Sequence, residues 1–225
     1  MPRTRLAFAL ATLLSLSAPA LAHDQNQDID KVNGSITAEA SQAYGDLETV
    51  NGSIRIEANA RVGEAETVNG SIHADDNIRA RSLTTVNGGI RVGTQAQIEG
   101  GIETVNGSIF VDRGGNVGRG VETVNGAIGL VDTDLGGGID TVNGDITVGV
   151  GSHVKGGIHV EKPGQQWFSM GKRKPPRIVI GPNAQVDGAL VFEREVKLYV
   201  HRSAKIGAVS GATAVRYDGD RAPED

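Results

Sequence analysis

Glu48-Thr49-Val50-Asn51-Gly52-Ser53-Ile54 decides the fold, because the chain writes this stretch repeatedly with small variations. Val-Asn-Gly, then Ser, Gly, Ala or Asp, then Ile, recurs at 32–36, 50–54, 68–72, 86–90, 105–109, 124–128 and 142–146. The asparagines Asn33, Asn51, Asn69, Asn87, Asn106, Asn125 and Asn143 therefore stand 18 or 19 residues apart. A fixed period near 20 residues is the mark of a solenoid. Between these motifs the apolar residues also keep their offsets: Ile90, Val92, Ile98, Ile102 and Val105 in one unit, Ile109, Val111, Val117, Val121 and Val124 in the next. These are short, β-branched, period-two fragments broken by Gly and Asn, which is strand-and-corner chemistry. No repeat carries a helical period.

Asn-Gly between apolar runs is also a strong hairpin signal. In a two-residue hairpin Val50 opposes Ser53 and Thr49 opposes Ile54, so each face mixes an apolar with a polar partner. As a corner within one rung, Asn-Gly lets Val50 and Ile54 both turn inward, with Gly and Asn accepting left-handed dihedrals. The pattern thus favours an all-β, single-stranded parallel β-solenoid of about nine rungs of 18–19 residues, about 40 Å long at strand spacing. Equivalent residues then stack in columns. The seven asparagines form a structural ladder of side-chain amides, which accounts for their recurrence better than glycosylation at the four Asn-Gly-Ser triplets. Glu48, Glu66, Glu103, Glu122 and Asp140 form an acidic column interrupted by Thr84. Carboxylates at strand spacing repel unless solvated, paired or bridged, and Arg55, Arg61, Arg79, Arg91 and Arg119 are candidate partners. The column reads either as a divalent-cation or basic-ligand stripe or as a solvated, aggregation-resisting face, and the solvated face is the simpler role.

The 225 residues include 32 Gly, no Cys and 4% aromatics, with a net charge of -5. Lack of Cys excludes a disulfide scaffold and thiolate metal sites, and the acidic balance does not favour nucleic acid. Residues 1–22 read as a secretory signal: Arg3 and Arg5, the apolar run Leu6 to Leu16, then Ala20-Leu21-Ala22 as a cleavage site. Cleavage before His23 takes the net charge to -7, since Arg3 and Arg5 leave with the leader. No later stretch approaches membrane length, and no Cys follows the cleavage site to carry a lipid. The expected location is exported, either periplasmic or at the cell surface and beyond.

The solenoid is expected over 23–212, with repeats at 32–160, a loop insertion at 161–176, terminal rungs at 177–212 and a flexible tail at 213–225. The insertion holds the only Trp, and Trp167, Phe168 and Met170 beside Lys172, Arg173 and Lys174 make it the candidate contact loop. Glu193, Arg194, Glu195, Lys197, His201 and Arg202 crowd the end of the stack with charge, as a terminal cap needs.

The recurring Glu-Thr-Val-Asn-Gly-Ser-Ile unit, over roughly Asp28 to Val160, resembles the exported bacterial β-strand-repeat family of adhesin-like proteins, a domain of unknown function. That resemblance implies a β-solenoid without established activity, so no catalytic, cofactor-binding or metal residue is expected. The last two rungs are similar to bactofilins, which implies end-to-end assembly. The leading expectation is a non-enzymatic envelope protein, an adhesin-like interaction scaffold whose partner is an envelope protein or glycan. The alternatives are a self-assembling envelope polymer and a polysaccharide-modifying β-helix enzyme. Against an enzyme, the acids form a regular column rather than a cluster with a positioned base. Ile180 to Gly188 echoes the hexads of left-handed acyltransferases, but His73, His153, His159 and His201 lack a recognisable catalytic partner in sequence.

Overall fold

A computed structural model describes residues 27–163 and 174–224. Its strands are all short, no helix occurs among the described residues, and they assemble into three parallel sheets of ten, ten and seven strands. The chain visits the sheets in turn. Leu47–Asn51 lies in the first sheet, Ile54–Ile56 in the second, and Arg61 bridges into the third before Glu64–Asn69 starts the next rung. Register is fixed residue for residue: Leu47 pairs with Ala65, Thr49 with Thr67, Asn51 with Asn69, and Ile54 with Ile72. The fold is a parallel β-solenoid of about 10 turns. The turn beyond the nine expected is completed by Val209–Ser210 and Ala214–Tyr217, the last strands of the first and second sheets. The segment 213–225 is therefore not all tail. Tyr217 is buried and donates its hydroxyl to the Ile180 carbonyl, and Arg177 donates to the Pro223 carbonyl.

Columns of Ile, Val, Leu and Ala fill the interior, including Ile36, Ile54, Ile72, Ile90, Ile109, Ile128 and Ile146 on the second sheet. No rung buries this face alone; the neighbours above and below supply the walls. The phase before the corner differs from the sequence expectation. Val50 and its equivalents do not point inward. Strand alternation from buried Leu47 sends Thr49 inward and leaves Glu48 and Val50 on the outer face, and Val32 on the first rung is 68% exposed. The inward hydroxyl is tolerated because it has a partner one rung back. Thr49, Thr67, Thr85, Thr104 and Thr123 donate to the carbonyls of Gly34, Gly52, Gly70, Gly88 and Gly107 at 2.8–3.1 Å.

Thr141 breaks this series. Its hydroxyl is the one buried side-chain polar atom without a hydrogen-bond partner among the described residues. A buried donor without a partner costs about 1–3 kcal/mol, whereas replacing a bonded one forfeits the bond. Thr141→Val is accordingly expected to raise the unfolding midpoint in a denaturant titration. Thr104→Val is expected to lower it, by about 1 kcal/mol and with the Gly88 carbonyl left unpaired.

The corners also divide their tasks differently from expectation. The left-handed residues other than glycine lie at the corner between the second and third sheets, where Asn59, Asn77, Gln95, Asp132 and Asn183 have φ of 62°, 59°, 58°, 45° and 55°, while Gly34 of the first Asn-Gly corner has a φ of 114°. The asparagines of Asn-Gly end their strands instead. Glycine follows them because successive corners nearly touch: a Cβ on Gly52, Gly70, Gly88, Gly107, Gly126 or Gly144 would sit well inside 3.0 Å of the preceding corner's glycine oxygen.

Each end of the stack carries a cation in an inward column. Lys31 occupies the first-rung position that pairs with Thr49, and its ammonium donates to the Ser35 carbonyl at 2.7 Å. Arg216 occupies the last-rung position that pairs with Val200 and donates to the His201 carbonyl at 3.3 Å. A charge at a core position denies the next strand an apolar surface to stack upon.

Candidate functional site: the outer face of the first sheet

Three parallel columns run along the outside of the first sheet. The acidic one is in register: Asp30 pairs with Glu48, Glu48 with Glu66, Glu66 with Thr84, Thr84 with Glu103, Glu103 with Glu122, and Glu122 with Asp140. His159 takes the next position. Two residues further along each strand lies the half-buried Val column, Val50, Val68, Val86, Val105, Val124 and Val142. Next comes the Asn ladder, present as expected. From Asn51 to Asn143 each side-chain amide donates to the Oδ1 of the preceding asparagine at 3.0–3.2 Å. This direction leaves an acceptor free at Asn143, and Arg194 fills it by donating to Asn143 Oδ1 and to the Val142 carbonyl.

Four of the five arginines proposed as partners of the acids lie elsewhere. Arg55 pairs with Asp75 at 2.9 Å, Arg61 and Arg79 stack on the third sheet, and Arg91 lies over the Phe110 ring at 4.7 Å. They belong to other sheets, which point away from the column. Arg81, not singled out from the sequence, is the cation that approaches this region, at 3.6 Å from both Asp46 and Glu64. Arg119 lines the same region without an ion pair among the described residues.

Burial, with stacking adding to it along most of the column, shows in the titration of the acids. Burial first, then Asp30, raises the Glu48 carboxyl; burial and then Glu48 raise Glu66. Burial, followed by Glu103 and Asp140, pushes Glu122 up to about 7. Burial also raises Asp140, with His159 opposing it. The folded protein therefore holds a proton on Glu122 that the unfolded chain has released, and stability must fall as pH rises from about 4.5 to about 7. Glu122→Gln is expected to abolish that part of the slope. Above pH 7 it should stabilise by about 1 kcal/mol after allowance for solvent screening, read from thermal unfolding across pH.

A groove of about 690 Å³ follows the acidic column where Thr84 interrupts it. Glu64, Arg81 and Arg119 stand along the corner side, Glu103, Glu122 and Asp140 along the other, and Ser82, Gly100, Gly101 and Gly120 leave the space between them unfilled. At its far end His159 meets three carboxylates: Glu193 at 3.2 Å, Asp140 at 3.6 Å and Glu161 at 3.9 Å. Glu193 also accepts the Lys162 backbone N–H, and that bond, with His159, holds its carboxyl below the usual range. The other described histidines have surface partners: His73 with Asp75 at 3.0 Å, His153 with Asp187 at 2.8 Å, and His201 with Ser203 at 2.8 Å. No group of three or more His, Asp or Glu among the described residues is placed to hold a metal ion.

Lys174, the one described member of the candidate contact loop, is exposed. Trp167, Phe168, Met170, Lys172 and Arg173 lie outside the described residues, as does the signal at 1–22. No described helix is long and apolar enough to cross a membrane. No protein-family model matches the chain, and no curated protein or solved structure matches it significantly.

Proposed function

We propose that this protein is an exported, non-enzymatic interaction scaffold of the cell envelope, of the adhesin-like kind its repeats resemble, and that it binds through the outer face of the first sheet. The observation behind this reading is the set of acidic, Val and Asn columns, held in one register over seven rungs or more. A surface that repeats the same groups at about 4.8 Å suits extended, repetitive partners. Its carboxylates recur rung after rung instead of converging on one reacting atom, which favours holding over turnover. The inward cations Lys31 and Arg216 weigh against the end-to-end polymer, and leave the sides as the surfaces for contact.

The test is retention of labelled envelope fragments by the immobilised protein, with a Val68→Lys/Val105→Lys variant whose thermal unfolding confirms an intact fold. Loss of retention is expected. Equal retention by parent and variant rejects the first sheet as the binding face, and recovery of the native protein only from cytosol rejects the exported role.

A further inference from the structure

The groove beside Thr84 has more definition than the rest of the face. It spans rungs from Glu64 to Asp140, four strand spacings or about 19 Å along the axis. The side chains that would fill it are missing for identifiable reasons. Ser82 pairs with Glu64 in register, so a short hydroxyl replaces a carboxylate. On the next two rungs Gly101 and Gly120 take that place; a Cβ on either would lie about 3.0 Å from the following rung's glycine oxygen. Thr84 opens the acidic column beside this gap. Arg81 and Arg119 rise from the corner on either side of Gly100, to which they are linked by rung-to-rung backbone hydrogen bonds.

We propose that this groove binds an extended amino-sugar oligosaccharide, an inference that rests on the first-sheet face being the binding surface. Three features carry it. Five carboxylates (Glu64, Glu99, Glu103, Glu122 and Asp140) against two guanidiniums give the lining a net charge of -3 once Glu122 has lost its proton, which calls for a cationic ligand. The lining offers carboxylate acceptors on both walls, guanidinium donors at the corner and the hydroxyls of Ser82 and Thr84, the combination that satisfies a ring bearing both hydroxyl and ammonium groups. The repeat along the groove is about 4.8 Å, close to the length of one pyranose unit in an extended chain, so successive rings meet successive rungs, and the half-turn between neighbouring β-1,4-linked rings returns each amino group to the same wall every two rungs. An extended peptide returns a side chain to the same face only every two residues, about 6.8 Å, and falls out of step. A simple polyamine carries the charge but leaves the hydroxyl-matching groups unpaired, a loss of affinity.

Isothermal titration of the full-length protein with a glucosamine tetramer tests this, beside its N-acetylated counterpart, a galacturonate tetramer and spermine. The glucosamine tetramer should bind, and the other three should bind tenfold or more weakly. Glu103→Gln/Glu122→Gln should weaken glucosamine binding tenfold or more without lowering thermal stability, and Thr84→Arg, which places a cation in the gap, should abolish it. Absence of binding by the parent, equal binding of spermine, or affinity unchanged in both variants overturns the proposal. If envelope retention persists while the glucosamine tetramer fails to bind, this ligand is wrong and the scaffold reading stands.

Discussion

Gly88→Ala is expected to lower the thermal midpoint by about 10 °C, the consequence of a loss of about 3 kcal/mol or more. The added methyl would be driven into the carbonyl of Gly70, and its other close neighbours, the Gly70 carbon and Ser71 nitrogen, are backbone too. Neither side can yield by turning a side chain. The corner must open instead, pulling on the Thr85–Gly70 and Thr104–Gly88 hydrogen bonds and on the amide ladder at Asn87. Gly219→Ala is the control: the nearest atom to its added carbon is 3.6 Å away, and no change is expected. Circular dichroism melts of the two variants decide the matter. Because each rung touches only its neighbours, Gly88→Ala should also split a single transition into two steps more readily than a substitution at either end. A midpoint within 2 °C of the parent (less than about 1 kcal/mol) would mean that the corners are not in contact.

Lys31→Thr/Arg216→Val is expected to change mass rather than stability. The first substitution restores the column residue of the following rungs, and the second restores an apolar one. Both ends then offer unpaired strand edges over an uncharged inward column, the template that edge charges guard against. Sedimentation velocity should show species that grow with concentration for the double variant, while the parent keeps its low-concentration value. A variant as monodisperse as the parent would locate the barrier to stacking elsewhere, with Tyr217 and the Arg202–Asp218 pair as the next groups to alter.

The spacing of seven asparagines was enough to read the stack, the amide ladder and the acidic file, because a period held within one residue converts sequence offset directly into vertical neighbours. It could not read which of Thr49 and Val50 faces the core. Hydrophobicity points to Val, but strand phase runs from Leu47, and a glycine carbonyl one rung away waits for the hydroxyl. Nor could it identify the left-handed corner, occupied by residues as unlike as Asn59, Gln95 and Asp132. Contacts across the insertion were hidden for another reason. His159 and Glu193 are 34 positions apart, and Arg194 and Asn143 are 51 apart. Once residues 161–176 break the period, neighbours in space no longer follow from counting. The groove was visible only as Thr84 standing where the column lacks a carboxylate.

The Asn-Gly-Ser corner has a consequence for descent as well as for stability. Each storey is bound by the same few bonds to the one below, so an in-frame duplication or loss of one unit lengthens or shortens the tower without asking any distant residue to change. Lineages carrying this gene should accordingly differ by whole storeys in the middle, while the first and last floors, with their Lys31 and Arg216 lids, are inherited intact.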